Sequence, residues 1–281
     1  MLPLADWPAA ERRAIVGVFT DIDDTLTTDG AITPDALQAL ADLKAAGLIV
    51  IPITGRPIGW CEPFMVGATP WPVDAMVAEN GGVAFARGPT AGTTCQIGLQ
   101  PPLDVREPLS KLYQQEATIR ASNQMRMQKI ATRVIFEVPG AFLTRDSVGR
   151  ETDIAFDYNE FAHLPPATVQ RVLAILQREG METTVSSIHI HGCFGNFNKW
   201  QGANWMVREL LGRDLGQELD RWVFVGDSGN DQAMFEHFTH SVGVANIRRF
   251  ENQLTHLPLY IAPSERGAGF AEVAHAVLNV Q

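Results

Sequence analysis

An apolar, β-rich run at residues 15–20, Ile-Val-Gly-Val-Phe-Thr, breaks off at an acidic cluster, Asp21-Ile22-Asp23-Asp24-Thr25, and breaks of this kind recur along the chain. Residues 48–53 end at Thr54-Gly55-Arg56, residues 73–78 at Glu79-Asn80-Gly81-Gly82, and residues 222–225 at Gly226-Asp227-Ser228-Gly229-Asn230-Asp231. Short continuous apolar runs are what strands buried on both faces of a parallel sheet require. Parallel strands also need crossovers, and the stretch between the first two runs supplies one. Thr33 and Pro34 suit an N-cap and first helical position, Leu37, Leu40 and Leu43 recur every three residues, and Gly47 suits the stop. Strand, helix and strand within about forty residues make a βαβ unit, whose crossover is right-handed.

Near Pro101-Pro102 the pattern changes. Residues 109–122 and 165–179 are predicted as helices and residues 132–138, 153–158 and 183–191 as extended, which suggests an α+β layer of its own. After Lys199 the βα alternation returns, with helices predicted at 201–211, 231–238 and 269–278 and strands at 222–225, 242–245 and 259–262. The expected fold class is therefore α/β: a doubly wound parallel sheet formed by residues 1–100 and 190–281, interrupted by an α+β insert at 101–189. Charge follows the same division. Residues 105–188 hold ten Lys/Arg and ten Asp/Glu, so the formal net charge of −10 is carried entirely by the rest.

That acidity argues against nucleic acid or an anionic membrane surface as the main partner. The run at 48–53 is far too short to cross a bilayer, and the first thirteen residues carry Asp6, Glu11, Arg12 and Arg13 where a signal peptide needs an apolar stretch. Cys61, Cys95 and Cys193 lie far apart without a Cys-x-x-Cys pair, which points to reduced thiols rather than a zinc site or a disulfide framework. The expectation is a cytoplasmic protein, a monomer or small homo-oligomer, with no membrane segment.

In an open parallel sheet, ligands bind beyond the carboxyl ends of the strands, so Asp21, Thr54 and Asp227 can converge despite their separation in sequence. Mg²⁺ takes oxygen ligands and keeps several waters, so Asp21 and Asp227 together with a substrate phosphate satisfy it. A carboxylate can also attack phosphorus and form an aspartyl-phosphate, which splits hydrolysis into two easier steps. Asp23 lies two residues beyond Asp21, on the same side of an extended chain, where like charges favour one proton held between them. A protonated Asp23 can then serve the leaving alcohol as acid and water as base. The backbone N–H groups after Asp21, the Thr54 hydroxyl and the Lys199 ammonium are suited to the charge on a transferring phosphoryl group.

These motifs resemble those of the haloacid dehalogenase superfamily of phosphatases and mutases. Its Asp-x-Asp-x-Thr is matched by Asp21-Ile22-Asp23-Asp24-Thr25, its second motif by the Thr of Thr54-Gly55-Arg56, its third by Lys199, and its fourth by Gly226-Asp227 with Asn230-Asp231. The resemblance implies Asp21 as nucleophile and Mg²⁺ ligand, Asp23 as acid/base that also offers the metal its backbone carbonyl, and Asp227 as a direct ligand supported by Asp231. It groups Thr54, Gly55, Lys199 and Asn230 around the phosphate. The insert after Glu79-Asn80-Gly81 looks like the larger α/β cap of the sugar-phosphatase branch, which includes sucrose-phosphate, trehalose-phosphate and mannosyl-3-phosphoglycerate phosphatases and phosphomannomutases. An enzyme is implied, one that hydrolyses a small phosphorylated metabolite of the sugar or polyol class, with a phosphomutase as the alternative. Arg56, Asn80, Arg145, Arg150 and His191 are candidate substrate contacts. Asp24 stands where Gly or Asn is usual, and Trp200 follows Lys199 where Gly is frequent.

Two readings from other classes use part of the same pattern. A phospho-acceptor signalling module has an acidic pocket, a Thr and a Lys on a doubly wound sheet, but needs neither a second carboxylate for acid/base work nor a large lid. A glycosyltransferase holding its metal with Asp-x-Asp leaves Lys199 and Asp227 without a task. His189 and His191 share a face of a predicted strand and, without a third ligand nearby, read as a polar strand face rather than a metal pair.

Overall fold

The computed structural model of the protein describes residues 1–87 and 109–280. The change of pattern at Pro101-Pro102, and Cys95, lie outside the described residues. The strand Gly17–Thr20, buried along its whole length, sits inside a six-stranded sheet ordered Leu2–Pro3, Tyr260–Ile261, His240–Gly243, Trp222–Gly226, Gly17–Thr20, Ile49–Pro52. All neighbours in this sheet pair in parallel. A parallel bridge between Ile53 and Val77 leads on to Ala75–Ala78, from which Val83–Arg87 and Leu109–Tyr113 continue antiparallel.

Successive strand residues point to opposite faces, so Val18, Val50 and Val225 join one apolar cluster while Phe19, Ile51 and Phe224 join another. Helices Pro34–Ala45 and Arg266–Leu278 cover the first face through Leu40, Leu43, Phe270 and Val273. Helix Lys199–Leu211 covers the second through Ala203, Met206 and Val207. The sheet is thus doubly wound. In the first of these helices the buried set is Ala36, Ala39, Leu40 and Leu43, a 3.6-residue period, whereas Leu37 of the expected every-third series faces solvent.

The insert builds a second, antiparallel sheet ordered Glu182–Val185, His189–Cys193, Asp153–Asp157, Phe142–Leu143. Helices Ala117–Glu137 and Pro166–Arg178 pack on it around Ile130, Val134, Phe156, Val172, Leu176 and Ile190. Two local expectations change here. Residues 132–138 are rich in β-branched side chains and read as a strand, yet all but the last belong to the long helix. Met127, Ile130, Ala131 and Val134 recur at helical spacing against the new sheet, and that tertiary packing overrides local propensity. Conversely, the expected helix at 109–122 begins as the strand Leu109–Tyr113, because its backbone completes the ladder of Val83–Arg87. Residues 109–113 pair with the body, and the insert's sheet runs on to Cys193. Among the described residues no helix is long and apolar enough to cross a membrane.

Glu79 ties the insert to the body. Its buried carboxylate accepts backbone N–H bonds from Ile58 of the body (3.1 Å) and from Glu151, Thr152 and Asp153 of the insert (3.1, 2.5 and 3.2 Å), along with the Thr152 hydroxyl at 2.6 Å. Both Glu79 and Asn80 adopt left-handed backbone, at φ 51° each, to aim these side chains. Replacing Glu79 by Gln turns an acceptor oxygen into a donor facing N–H groups. Glu79→Gln is therefore expected to lower stability by roughly 1–3 kcal/mol, read as an earlier urea midpoint. An unchanged midpoint would show that those donors find other partners.

Candidate active site

Asp21 and Asp227 leave the carboxyl ends of adjacent parallel strands, Gly17–Thr20 and Trp222–Gly226. The Asp21 N–H continues the ladder to the Val225 carbonyl at 2.8 Å, which fixes where its side chain emerges. After Asp227 the chain turns through Ser228 and a short helical turn, Gly229–Asp231, closed by a capping box between Ser228 and Asp231. Oδ2 of Asp231 accepts the Asp227 and Ser228 N–H groups at 2.8 and 3.1 Å. Gly226 makes this fold-back feasible, since a Cβ there would stand 2.5 Å from Asp231 Oδ2.

Asp21, Asp227 and Asp231 are all buried, and each offers an oxygen lying within 4.8 Å of the others. Into this group projects Lys199, the first residue of its helix, set by Asn198, whose side chain accepts the Gln201 N–H at 2.9 Å. The Lys199 ammonium donates to Oδ1 of Asp21 and, at 2.5 Å, to Oδ1 of Asp231. Burial works against its charge, but Asp21 and Asp231 more than offset this and hold its pKa above the ordinary lysine value. One ammonium does not neutralise three carboxylates. Burial pushes Asp21 up to about 8 against the pull of Lys199, with Asp231 and Asp23 adding to the rise. Asp227 is raised well above the usual carboxylate range by burial, then by Asp21 and Asp231.

Asn246 was not among the residues expected here. Its amide donates to Asp227 Oδ2 at 2.9 Å and to the Asp24 carbonyl at 3.0 Å, while its oxygen accepts the Arg266 N–H at 2.9 Å. It follows the apolar run 242–245, the same strand-end signal that marks Asp21. Oδ1 of Asp227, by contrast, is buried with no hydrogen-bond partner among the described residues. A surplus of buried negative charge and an orphaned carboxylate oxygen are the features of a site that fits a hard divalent cation.

Asp23 is not one of the three gathered carboxylates. Both its oxygens accept from Arg56, at 3.0 Å from Nε and 2.7 Å from Nη2. The same guanidinium reaches Glu160 at 2.8 Å and Asp146 at 3.2 Å, both in the insert. Thr54 is buried, and its hydroxyl oxygen accepts the Arg56 N–H at 3.0 Å. Asn230 and Asn80 meet each other, Nδ2 of the former donating to Oδ1 of the latter at 3.0 Å. Arg150 is engaged within the protein: it donates to the Gly55 carbonyl at 2.9 Å and to both oxygens of Asp153 at 2.8 and 3.0 Å. Arg145 stacks on the exposed Phe161 ring, 3.6 Å from its centroid. The unusual Asp24 pairs with Arg266 at 3.1 Å, and Trp200 stacks on His237 at 4.5 Å.

Carboxylates at the carboxyl ends of a doubly wound sheet, with a buried lysine among them and an α+β layer closing over them, define a hydrolase-type α/β enzyme centre. Residues 18–125 match the family model of haloacid dehalogenase-like hydrolases, and residues 199–275 match that of sucrose-6F-phosphate phosphohydrolase. A phosphoglycolate phosphatase of Methanothermobacter thermautotrophicus is 24% identical over 265 residues, covering 93% of this chain and 98% of its own. The fold is shared with the sucrose-phosphatase of Synechocystis, at a TM-score of 0.62 and 16% identity over 94% of this chain and 98% of that one. It is also shared with the C-terminal domain of Candida albicans trehalose-6-phosphate phosphatase, at a TM-score of 0.64 and 13% identity over 96% and 94%. The two family models match in order along the chain, the first reaching into the insert's first helix and the second beginning at Lys199, so what this chain resembles at both ends is a haloacid dehalogenase-like hydrolase.

Proposed function

We propose that this hydrolase is a Mg²⁺-dependent phosphatase that cleaves a small phosphomonoester, a sugar or polyol phosphate, through an aspartyl-phosphate on Asp21. The observation that carries the reading is the convergence of Asp21, Asp227 and Asp231 within 4.8 Å around the buried Lys199. Asp21 and Asp227 would hold the metal, with Asp231 behind them, since its oxygens already serve Lys199 and two backbone N–H groups. When bound, the metal supplies positive charge against the phosphoryl oxygens.

The chain's own residues account for the bond changes. An Asp21 oxygen attacks phosphorus, the bond to the ester oxygen breaks, and Asp23, having taken up a proton from solvent before the step, gives it to the leaving alcohol. Asp23 then takes a proton from water, which attacks the same phosphorus and frees inorganic phosphate and the Asp21 carboxylate. Arg56 fixes the orientation of Asp23, while Lys199 and Thr54 bear on the phosphoryl charge. The insert, tied down by Glu79 and Arg56, excludes bulk water during transfer and must lift for exchange. The buried free thiols Cys61 and Cys193 suit a reducing compartment, and we place the enzyme in the cytoplasm.

Release of inorganic phosphate from p-nitrophenyl phosphate and from sugar and polyol phosphates, with and without Mg²⁺, tests the reading. Phosphate release that stops on chelation is expected. Isomerised monophosphate in place of free phosphate would turn the assignment to a mutase, and inertness toward every phosphomonoester would end it. Asn246→Ala is expected to weaken Mg²⁺ binding by about 10- to 100-fold, the usual cost of removing a group that orients a metal ligand. Calorimetric titration of Mg²⁺ measures this directly.

A further inference from the structure

His191 belongs to the insert's strand His189–Cys193 and is almost wholly buried. Its Nδ1 lies 3.1 Å from Oδ2 of Asp153, and Arg150 donates to both oxygens of that aspartate, which favours the carboxylate against the burial that raises its pKa. A carboxylate only accepts, so Nδ1 carries the proton. Burial, then Arg150 and His189, keep the imidazole's pKa well below the ordinary histidine value, with the Lys199 ammonium close enough to contribute. The ring is therefore neutral, and Nε2 presents a lone pair. That atom is buried and has no hydrogen-bond partner among the described residues.

Its location is specific. A Cβ added to Gly55 would stand 2.8 Å from His191 Nε2 and 3.2 Å from Asn80 Nδ2, so glycine after Thr54 is what lets the imidazole approach the phosphate motif. Arg150 locks the approach by donating to the Gly55 carbonyl at 2.9 Å. A buried acceptor without a donor is costly, and such an atom is normally met by an O–H or N–H group. Ionised phosphoryl oxygens are acceptors and cannot supply one. The donor that fits a position beside the phosphate is a hydroxyl on the alcohol half of the ester.

We propose that His191 Nε2 accepts a hydrogen bond from a hydroxyl of the leaving alcohol, so that this centre selects polyhydroxylated phosphomonoesters over alkyl ones. The proposal rests on the phosphatase reading above and narrows its substrate class. Asp153 and Arg150 are positioning residues for the ring.

The test compares kcat/KM for glycerol 1-phosphate and n-propyl phosphate, which share a carbon count and differ in their hydroxyls. The native enzyme is expected to favour the glycerol ester by about tenfold. In His191→Phe the preference should shrink to within about twofold, and His191→Gln, which can return an acceptor near the Nε2 position, should restore part of it. If His191→Phe does not fold, His191→Asn, too short to reach the Nε2 position, is expected to lose the preference likewise. Equal use of the two esters by the native enzyme overturns the proposal, as does an undiminished preference in the folded variants, which would assign Nε2 to a structural water. Hydrolysis of p-nitrophenyl phosphate but of neither ester overturns it while leaving the phosphatase reading intact. No phosphate release from any of the three overturns both.

Discussion

Asp21→Asn is expected to release phosphate about 10⁴-fold or more slowly than the native enzyme, the scale on which removal of a covalent nucleophile is felt. The amide occupies the same space but attacks phosphorus poorly, and no second carboxylate stands ready to replace it. Asp227 is held by Asn246, Asp231 is held by Lys199 and two backbone N–H groups, and Asp23 is held by Arg56. The same substitution should leave thermal stability in chelator unchanged or higher. Asp21 is buried beside Asp231 and near Asp23, and its pKa, raised to about 8, reports that its charge is disfavoured there. A group whose charge is strained in the folded state is kept for chemistry rather than for folding. Turnover within about tenfold of native by a correctly folded variant would remove Asp21 as nucleophile.

The residues that form this centre were legible to different degrees for physical reasons. Asp21, Thr54 and Asp227 each end an apolar run, and strand ends in a parallel sheet converge whatever their spacing, so local sequence was enough. Asn246 carries the same mark after residues 242–245, but a lone Asn after a strand is also an ordinary turn residue, and only the bond to Asp227 separates the two. Lys199 could be chosen by its place in the chain, yet not its double contact to Asp21 and Asp231, which depends on a helix start set by Asn198. The Asp23–Arg56 pair was out of reach because Arg56 is also steered by Asp146 and Glu160, 90 and 104 residues away. Residues 132–137 of the helix Ala117–Glu137 read as a strand for a related reason, since β-branched side chains there favour a strand until a second sheet offers their helical face a partner.

Charged side chains join the insert to the body. Arg56 to Glu160 and Asp146, Arg150 to Gly55, and Glu79 to residues 151–153 all cross the boundary. Glu160 in turn meets His189 at 2.7 Å. Polar ties of this kind can exchange with water at modest net cost, whereas a broad apolar seam resists parting. The guanidinium of Arg56 that holds Asp23 is itself held by Asp146 and Glu160 of the insert, so in the mechanism proposed above the setting of Asp23 would depend on where the insert sits.

Lys199→Met is expected to cost roughly 3–5 kcal/mol of stability in chelator, in addition to abolishing efficient turnover, because it removes one partner from a fully buried set of charges. Methionine fills the volume of the lysine stem, so the loss is electrostatic rather than a cavity. Asp21, Asp227 and Asp231 would then face one another with only Asn246 and backbone donors to compensate. The pH dependence has a definite sign. A carboxyl whose folded pKa lies above its unfolded value binds its proton more tightly when folded, so stability falls as pH rises above the ordinary carboxylate range toward the folded pKa. Asp21 already lies near 8 with Lys199 present, and removal of the ammonium can only raise it. Asp21's share of the deficit of Lys199→Met relative to native should therefore stay constant below about pH 8 and widen above it, where native Asp21 ionises beside its ammonium and the variant's does not, as followed by denaturant unfolding from neutral to alkaline pH. Added Mg²⁺ should recover part of the loss, since a divalent cation supplies the charge that the ammonium gave. A deficit that neither widens in alkali nor responds to Mg²⁺ would show that Lys199 holds the fold by packing, and the picture of a charge-balanced centre would fail with it.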